Sequence, residues 1–462
     1  MTIRSDIAVI GAGPGGYVAA LRAAQLGAKV VLVEKGKLGG VCLNWGCIPT
    51  KTLLRTAEVL NLARDAAEYG VVVGEVRLDW AAAQKRKETV VRRLTGGIKF
   101  LLEKAGVQLL PGTARFISPS TLEVTAEMGQ ERVEAKNYVV ATGSRPASLP
   151  IPGLEGPGVL TGDDALALDA LPASLLIIGA GPIGVEFATL FRACGVQVTL
   201  VELLPRVLPT LDADLGAEIE RALKKAKVAV HTASRVSKVA ASNGKYAVTI
   251  QGEKQITTVE VDKILVAVGR RPNVEELGLD SIGVQVEKTG IKVDEFLRTN
   301  VPHIYAVGDV AGGILLAHVA MHEGVVAAEN AMGLQRAMNY AAVPSCVFTT
   351  PEVASVGLSE EQAQQQGYDL RVGKFPFRAN GKALAQGEPD GLVKIVAEGK
   401  YGQILGVHIV GPHASDLIQE GTLALTLEAT LDELEVAIHP HPTLSEAVAE
   451  AALAAKGRAL HS

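Results

Sequence analysis

Ile7-Ala8-Val9-Ile10-Gly11-Ala12-Gly13-Pro14-Gly15-Gly16 is the stretch that decides the fold. Its four apolar residues read as a buried strand, and Gly11, Gly13 and Gly16 fall at G-x-G-x-x-G spacing. The first glycine allows a tight turn, the second lets backbone approach a pyrophosphate, and the third lets helix and strand pack closely. Outward from it, an amphipathic helix runs to Gly27, a second strand occupies residues 29–33, and Glu34 closes that strand. A carboxylate there accepts from ribose hydroxyls. The glycine spacing alone is a weak signal; with strand, helix and acid around it, a βαβ dinucleotide site is predicted.

The unit recurs 168 positions on. Residues 175–178 read as a strand, Gly179, Gly181 and Gly184 repeat the glycine pattern, Gly195 ends the helix, and Glu202 closes a strand over 197–201. Two nucleotide sites are therefore expected. Both acids would repel a 2′-phosphate, so each site should take a nucleotide without one, although Arg206 slightly weakens that argument at the second.

Composition bounds what surrounds these units. The 462 residues suffice for two to four domains, and 48% hydrophobic with 4% aromatic and 49 glycines suits an α/β enzyme. A net charge of −5 leaves no electrostatic footprint for nucleic acid or an anionic membrane. No apolar run approaches the roughly 18 residues of a spanning helix. Residues 1–6 lead straight into the first strand without room for a signal peptide, so a cytoplasmic protein is expected.

Two of the four cysteines, Cys42 and Cys47, lie in Gly39-Gly40-Val41-Cys42-Leu43-Asn44-Trp45-Gly46-Cys47-Ile48-Pro49-Thr50-Lys51. A structural disulfide, a pair of buried thiols and a reactive pair are all open on spacing alone. In a regular helix, residues five apart have Cα atoms about 8 Å apart, beyond the roughly 7 Å limit for a bridge. Bonding would need a distorted first turn, which Gly39, Gly40, Gly46 and Pro49 suit. A helix N-terminus also favours thiolate. Zinc wants four ligands, no second cluster with ligand spacing follows, and no metal is expected. Cys194 and Cys346 read as buried fillers.

Further along, Val140-Ala141-Thr142-Gly143-Ser144-Arg145-Pro146 and Val266-Ala267-Val268-Gly269-Arg270-Arg271-Pro272 look alike, each a buried strand ending at a glycine turn. Both read as exits from the nucleotide units. Ile304-Tyr305-Ala306-Val307-Gly308-Asp309 is another short strand, whose terminal acid faces either a ligand or its own turn. From about residue 340 the pattern changes to strands at 369–377, 391–396 and 404–410, a hairpin turn at 398–402, and helices near 415–430 and 445–457. An α+β unit without its own glycine pattern suits dimerisation. It ends in His439-Pro440-His441-Pro442-Thr443-Leu444-Ser445-Glu446, where Thr443 and Glu446 fit a capping box and His441 with Glu446 fits a base with its orienting carboxylate.

Together these motifs resemble the flavoprotein disulfide reductases along essentially the whole chain, most closely the members that oxidise dihydrolipoyl groups. The resemblance rests on residues 39–51, both glycine patterns, Ala141-Thr142-Gly143, Gly308-Asp309 and His441 to Glu446. It implies an α/β fold of two Rossmann-like dinucleotide-binding domains plus a C-terminal α+β dimerisation domain. The boundaries would be 1–148 and 273–339 for the two parts of the FAD domain, 149–272 for the NAD domain and 340–462 for the interface. FAD would be contacted by Gly11, Gly13, Gly16, Glu34, Lys51, Ala114, Gly143, Asp309 and Ala317. NAD would be contacted by Gly179, Gly181, Gly184, Glu202, Val236 and Gly269.

The same resemblance assigns roles. Cys42 and Cys47 form a redox-active disulfide, Cys42 meeting the dithiol and Cys47 the flavin; Lys51 stabilises negative charge on the reduced flavin, and Glu186 neutralises Lys51. His441 and Glu446 complete the site of the other subunit in a homodimer. Lipoyl groups would arrive on an E2 component of a 2-oxo acid dehydrogenase complex, whose subunit-binding domain docks the enzyme, or on a glycine cleavage H protein. A glutathione-type reductase would carry basic residues where Glu202 stands, and a flavin-containing scaffold would not need Cys42, Cys47, Lys51 and His441 together.

Overall fold

In the computed structural model, which describes residues 2–127, 129–242, 244–253 and 255–461, Thr2–Ile10 pairs in parallel with Val30–Glu34 on one side and Gly129–Val140 on the other. Ile7, Ala8 and Val9 have no exposed surface, as an apolar run covered on both sheet faces requires. The sheet has seven strands, and Ile304–Ala306 joins it beside Gly129–Val140 although the whole second nucleotide unit intervenes in sequence. The returning chain continues into helix Ala317–Ala331, which packs on helix Pro14–Gln25. Their approach is close: a Cβ on Gly324 would stand 2.3 Å from the Gly15 carbonyl oxygen.

The second unit holds a five-stranded sheet of Ala229–His231, Gln197–Val201, Ser174–Ile178, Lys263–Val266 and Val159–Leu160, every pair parallel. An antiparallel layer of Ser234–Ser242, Lys245–Gly252 and Ile256–Val261 covers one face, burying Val236, Val248 and Ile250 against Leu176 and Ile178. The two expected exits meet: Ser144–Pro146 and Arg270–Pro272 form a small antiparallel ladder with Arg145 opposite Arg271.

The third unit is a five-stranded antiparallel sheet with Ile404–Gly411 at its centre, buried along its full length. Helices Ala414–Thr426 and Glu446–Ala455 pack on it. The 398–402 turn is held by the Glu398 carboxylate, which accepts from the Lys400 and Tyr401 N–H groups at 2.7 and 2.6 Å. This is the predicted α/β class, two Rossmann-like domains plus a C-terminal α+β unit.

A buried ion cluster joins the second and third units. Lys394 Nζ, on Leu392–Glu398, lies 2.9 Å from Asp212, 2.6 Å from Asp214 and 2.7 Å from Glu360. Lys394 and Asp212 are buried, a placement that needs mutual neutralisation.

Candidate active site

The two glycine turns are built alike, atom for atom. A Cβ on Gly11 would meet the Ala141 carbonyl oxygen at 2.3 Å, and one on Gly179 the Ala267 carbonyl oxygen at 2.5 Å. Gly16 and Gly184 are equally constrained, a Cβ on either standing 1.9 Å from the carbonyl oxygen of the first glycine. Glu34 accepts from the N–H of Ala12 and of Gly36, each at 2.6 Å. Glu202 accepts from Ala180 and Leu204 at 2.6 and 2.8 Å. Each carboxylate is thus anchored by backbone at the strand end, with acceptor capacity left over. Gly181, like Gly13, precedes the first helical residue with an extended backbone.

A cleft of about 640 Å³ runs from the first turn toward the second. Its floor holds Gly11, Gly13 and Glu34, with Ala114, Gly143 and Asp309 along the sides and Ala317 at a helix start. Gly40 closes over Gly13, a Cβ there coming within 2.7 Å of the Gly13 Cα. The side-chain-free backbone at Gly11 and Gly13, under a helix N-terminus, fits a pyrophosphate, and Glu34 at the strand end fits ribose hydroxyls, so the residues present suit FAD. Gly269 and the helix bearing Glu186 line the opposite end. The remaining expected NAD contacts, Gly179, Gly181, Gly184 and Glu202, lie on the second turn beyond this cleft. The Val236 side chain is buried in the core, which leaves its backbone for any contact.

Both cysteines line the cleft. Cys42 sits in the short helix Gly40–Asn44 and Cys47 opens helix Cys47–Arg64, with a break at Trp45 and Gly46. That break is the irregularity the spacing demanded. Pro49 follows in the first turn, where it displaces no hydrogen bond. Hydrogen bonding from Cys42, aided by the Lys51 ammonium, brings Cys47 down to about 7 against the opposing effect of burial. The same hydrogen bond, together with burial, pushes Cys42 far up. The pair therefore gives up its first proton more readily than an isolated thiol, with Cys47 the member favoured as thiolate.

Lys51 Nζ donates to both Glu186 oxygens at 2.8 Å. Glu186 is buried on helix Pro182–Ala193, so the ion pair bridges the two nucleotide units at the thiols.

His441 and Glu446 stand apart. His441 Nδ1 lies 2.8 Å from Glu446 Oε1, the imidazole is 80% exposed, and neither residue lines the cleft. Against burial, which raises it, the Thr443 N–H at 2.7 Å and the His441 ring hold the Glu446 carboxyl below its ordinary value. The expected capping box forms only by half. Thr443 Oγ1 donates to the Pro440 carbonyl at 2.7 Å, and Ser445 takes the cap position, because the helix begins at Glu446 itself.

Several residues on or behind the cleft escaped the sequence. Arg270 donates from Nε to Ser144 Oγ at 2.6 Å and lies 3.7 Å from Asp309, while Ser144 also bonds Asp309. The likeness of the two exit motifs was the available signal. Buried Glu323 accepts from the Gly308 N–H at 2.6 Å and the Tyr340 hydroxyl at 2.7 Å, and burial pushes its carboxyl up. Cys346 is not the buried filler expected: it is half-buried and lines the cleft, with burial pushing its thiol up to about 11. Cys194 is likewise half-buried, at the end of helix Pro182–Ala193.

Residues 5–324 match the family described as pyridine nucleotide-disulphide oxidoreductase, and residues 343–452 match its dimerisation domain. The chain belongs to the pyridine nucleotide-disulphide oxidoreductases. Membership implies FAD and NAD(H) as cofactors and supports a homodimer. Among curated members of this family, a dihydrolipoyl dehydrogenase of Bacillus subtilis is 45% identical, each chain covered in full. One from Thermus scotoductus is 45% identical over 99% of this chain and 98% of its own. Among solved structures, LpdA from Mycobacterium tuberculosis superposes with a TM-score of 0.90 at 30% identity, over 97% of this chain and 99% of that one. The HOCl-induced flavoprotein disulfide reductase RclA from Escherichia coli has a TM-score of 0.86 at 29% identity, over the same shares.

Proposed function

We propose that this chain is an NAD-dependent dihydrolipoyl dehydrogenase, oxidising dihydrolipoyl groups to lipoyl groups while NAD+ becomes NADH. The observation that carries the reading is the Cys42–Cys47 pair on the wall of the nucleotide cleft, with the Lys51–Glu186 ion pair beside it. In the oxidised enzyme the two cysteines form a disulfide. One thiolate of the dithiol attacks Cys42, Cys47 leaves as thiolate, and the second substrate sulfur displaces Cys42 to close the lipoyl ring. Two electrons then rest on the enzyme's thiols. The partner subunit's His441 takes the thiol proton, and its Glu446 keeps the imidazole oriented for that transfer.

Cys47 suits a leaving group, since the Cys42 hydrogen bond and the Lys51 ammonium lower its thiol below the ordinary value. Lys51 provides positive charge beside it, and Glu186 limits that charge and fixes its position. FAD, when bound, supplies the two-electron carrier between these thiols and the nicotinamide. Gly11, Gly13, Gly16, Glu34, Ala114, Gly143, Asp309 and Ala317 would hold it. Gly179, Gly181, Gly184, Glu202, Val236 and Gly269 would hold NAD, with Val236 using backbone because its side chain is in the core.

The proposed division is 1–148 with 273–339 for FAD, 149–272 for NAD and 340–462 for the interface. The return of Ile304–Ala306 to the first sheet supports the split first domain. Lipoyl groups come on an E2 component or a glycine cleavage H protein, in the cytoplasm. No helix among the described residues is long and apolar enough to cross a membrane.

The deciding experiment assays the FAD-loaded protein with dihydrolipoamide and with glutathione disulfide, each with both nicotinamide cofactors. Dihydrolipoamide oxidation with NAD+ should dominate. Faster reduction of glutathione disulfide by NADPH would overturn the assignment.

A further inference from the structure

The Lys51 ammonium lies 4.6 Å from the centroid of the Phe348 ring, and the Phe348 N–H donates to Glu186 Oε1 at 3.0 Å. One residue therefore touches both members of the ion pair, ring on cation and backbone on anion. Phe348 sits in the segment that matches the dimerisation domain, whereas Lys51 and Glu186 stand on helices Cys47–Arg64 and Pro182–Ala193. Three separate segments of the chain thus converge on one ammonium.

The two contacts have different physical effects. A carboxylate with both oxygens on an ammonium cancels much of its field, but the N–H of Phe348 draws on Oε1 and ties Glu186 in place. The negative face of an aromatic ring attracts a cation without carrying net charge. It holds the ammonium while leaving its positive charge available to a thiolate. The titratable groups facing Lys51 are Glu186, Cys47, Cys42 and Cys346, so Phe348 is the uncharged member of this set.

We propose that Phe348 is a positioning residue that holds the Lys51 ammonium for Cys47, so that the dimerisation segment sets the charge felt by the thiol pair within its own subunit. The proposal rests on the reading above that Cys47 and Lys51 work together at the flavin. It extends that reading to a residue outside the nucleotide-binding segment.

The test uses FAD-loaded dimers carrying Phe348→Leu, Phe348→Tyr or Lys51→Met, each reduced by two electrons. Cys47 alkylation and the long-wavelength thiolate band are followed against pH. Phe348→Leu should move the Cys47 midpoint upward by about half a unit or more, and Phe348→Tyr, which keeps the ring, should titrate as the parent does. Flavin content and dimer size serve as controls for folding. If Phe348→Leu fails to assemble, Phe348→Met, whose flexible chain fills gaps and has no ring face, carries the same expectation. Lys51→Met separates the two layers. If it leaves the midpoint unmoved, the role given to Lys51 fails; if it moves the midpoint and the ring-less variants do not, the Phe348 proposal alone fails.

Discussion

His441 Nδ1 lies 2.8 Å from Glu446 Oε1, and the pair stands outside the cleft holding Cys42 and Cys47. Under the proposed function, this exposed imidazole with its anchored carboxylate would be half of a site. The matching of residues 343–452 to a dimerisation domain supplies the means of completing it.

Complementation between inactive variants tests that arrangement. His441→Ala alone should slow dihydrolipoamide oxidation by about 10²–10⁴-fold, the range of a lost general base, with FAD retained. Co-assembly of His441→Ala with Cys42→Ser subunits should recover about a quarter of parental activity, because half the dimers are mixed and each has one intact site. No recovery in verified mixed dimers would place both halves of the site on one chain.

The reduced thiol pair sets a pH dependence. Cys47 is lowered to about 7 by hydrogen bonding from Cys42 and by Lys51, so its thiolate forms as pH rises through that value. Alkylation by iodoacetamide at Cys47 should follow this midpoint, below the ordinary thiol value of roughly 8.5. Lys51→Met should shift the midpoint upward. A parental midpoint at or above the ordinary value would remove the electrostatic case for Cys47 as the leaving group.

Glu202 should govern the choice of nicotinamide cofactor. Its two oxygens are held by the Ala180 and Leu204 N–H groups. Glu202→Gln keeps the size of the side chain but removes its charge and sets an NH2 donor against one of the two backbone N–H donors, a loss of about tenfold or more in kcat/KM for NAD+. The ratio of NAD+ to NADP+ specificity should fall. An unchanged ratio would mean that discrimination lies elsewhere on the second turn.

Stability should depend on a cluster remote from the chemistry. Lys394→Met leaves Asp212 buried without its cation, beside Asp214 and Glu360. Removing one partner of a buried pair costs about 3–5 kcal/mol. Urea unfolding followed by both flavin fluorescence and circular dichroism should show it. Lys394→Met combined with Asp212→Leu should recover part of the loss; a single variant as stable as the parent would show that the cluster contributes nothing.

Much of this was legible in residue order because the decisive features are local. Gly11, Gly13, Gly16 and Glu34 belong to one strand-turn-helix-strand unit, and their spacing reflects backbone clashes within that unit. Its repetition at Gly179, Gly181, Gly184 and Glu202 reproduces even the anchoring hydrogen bonds of the acids. Thr443 was misread as a cap because its hydroxyl has a competing acceptor at Pro440, which spacing does not reveal. Cys346 was misplaced because an apolar neighbourhood in sequence does not say which side of a strand meets a cleft.

By itself, then, the sequence determined the α/β class, two nucleotide turns, the Cys42–Cys47 pair and the residue types at the site, since each arises from interactions a few residues long. Only the tertiary structure decided other contacts across long separations: Lys51 with Phe348, Arg270 with Ser144 and Asp309, Lys394 with Asp212. Such contacts depend on how whole sheets and helices pack, and no local periodicity encodes them. The opening glycine turn named the cofactor class, and the folded chain put the thiols beside it.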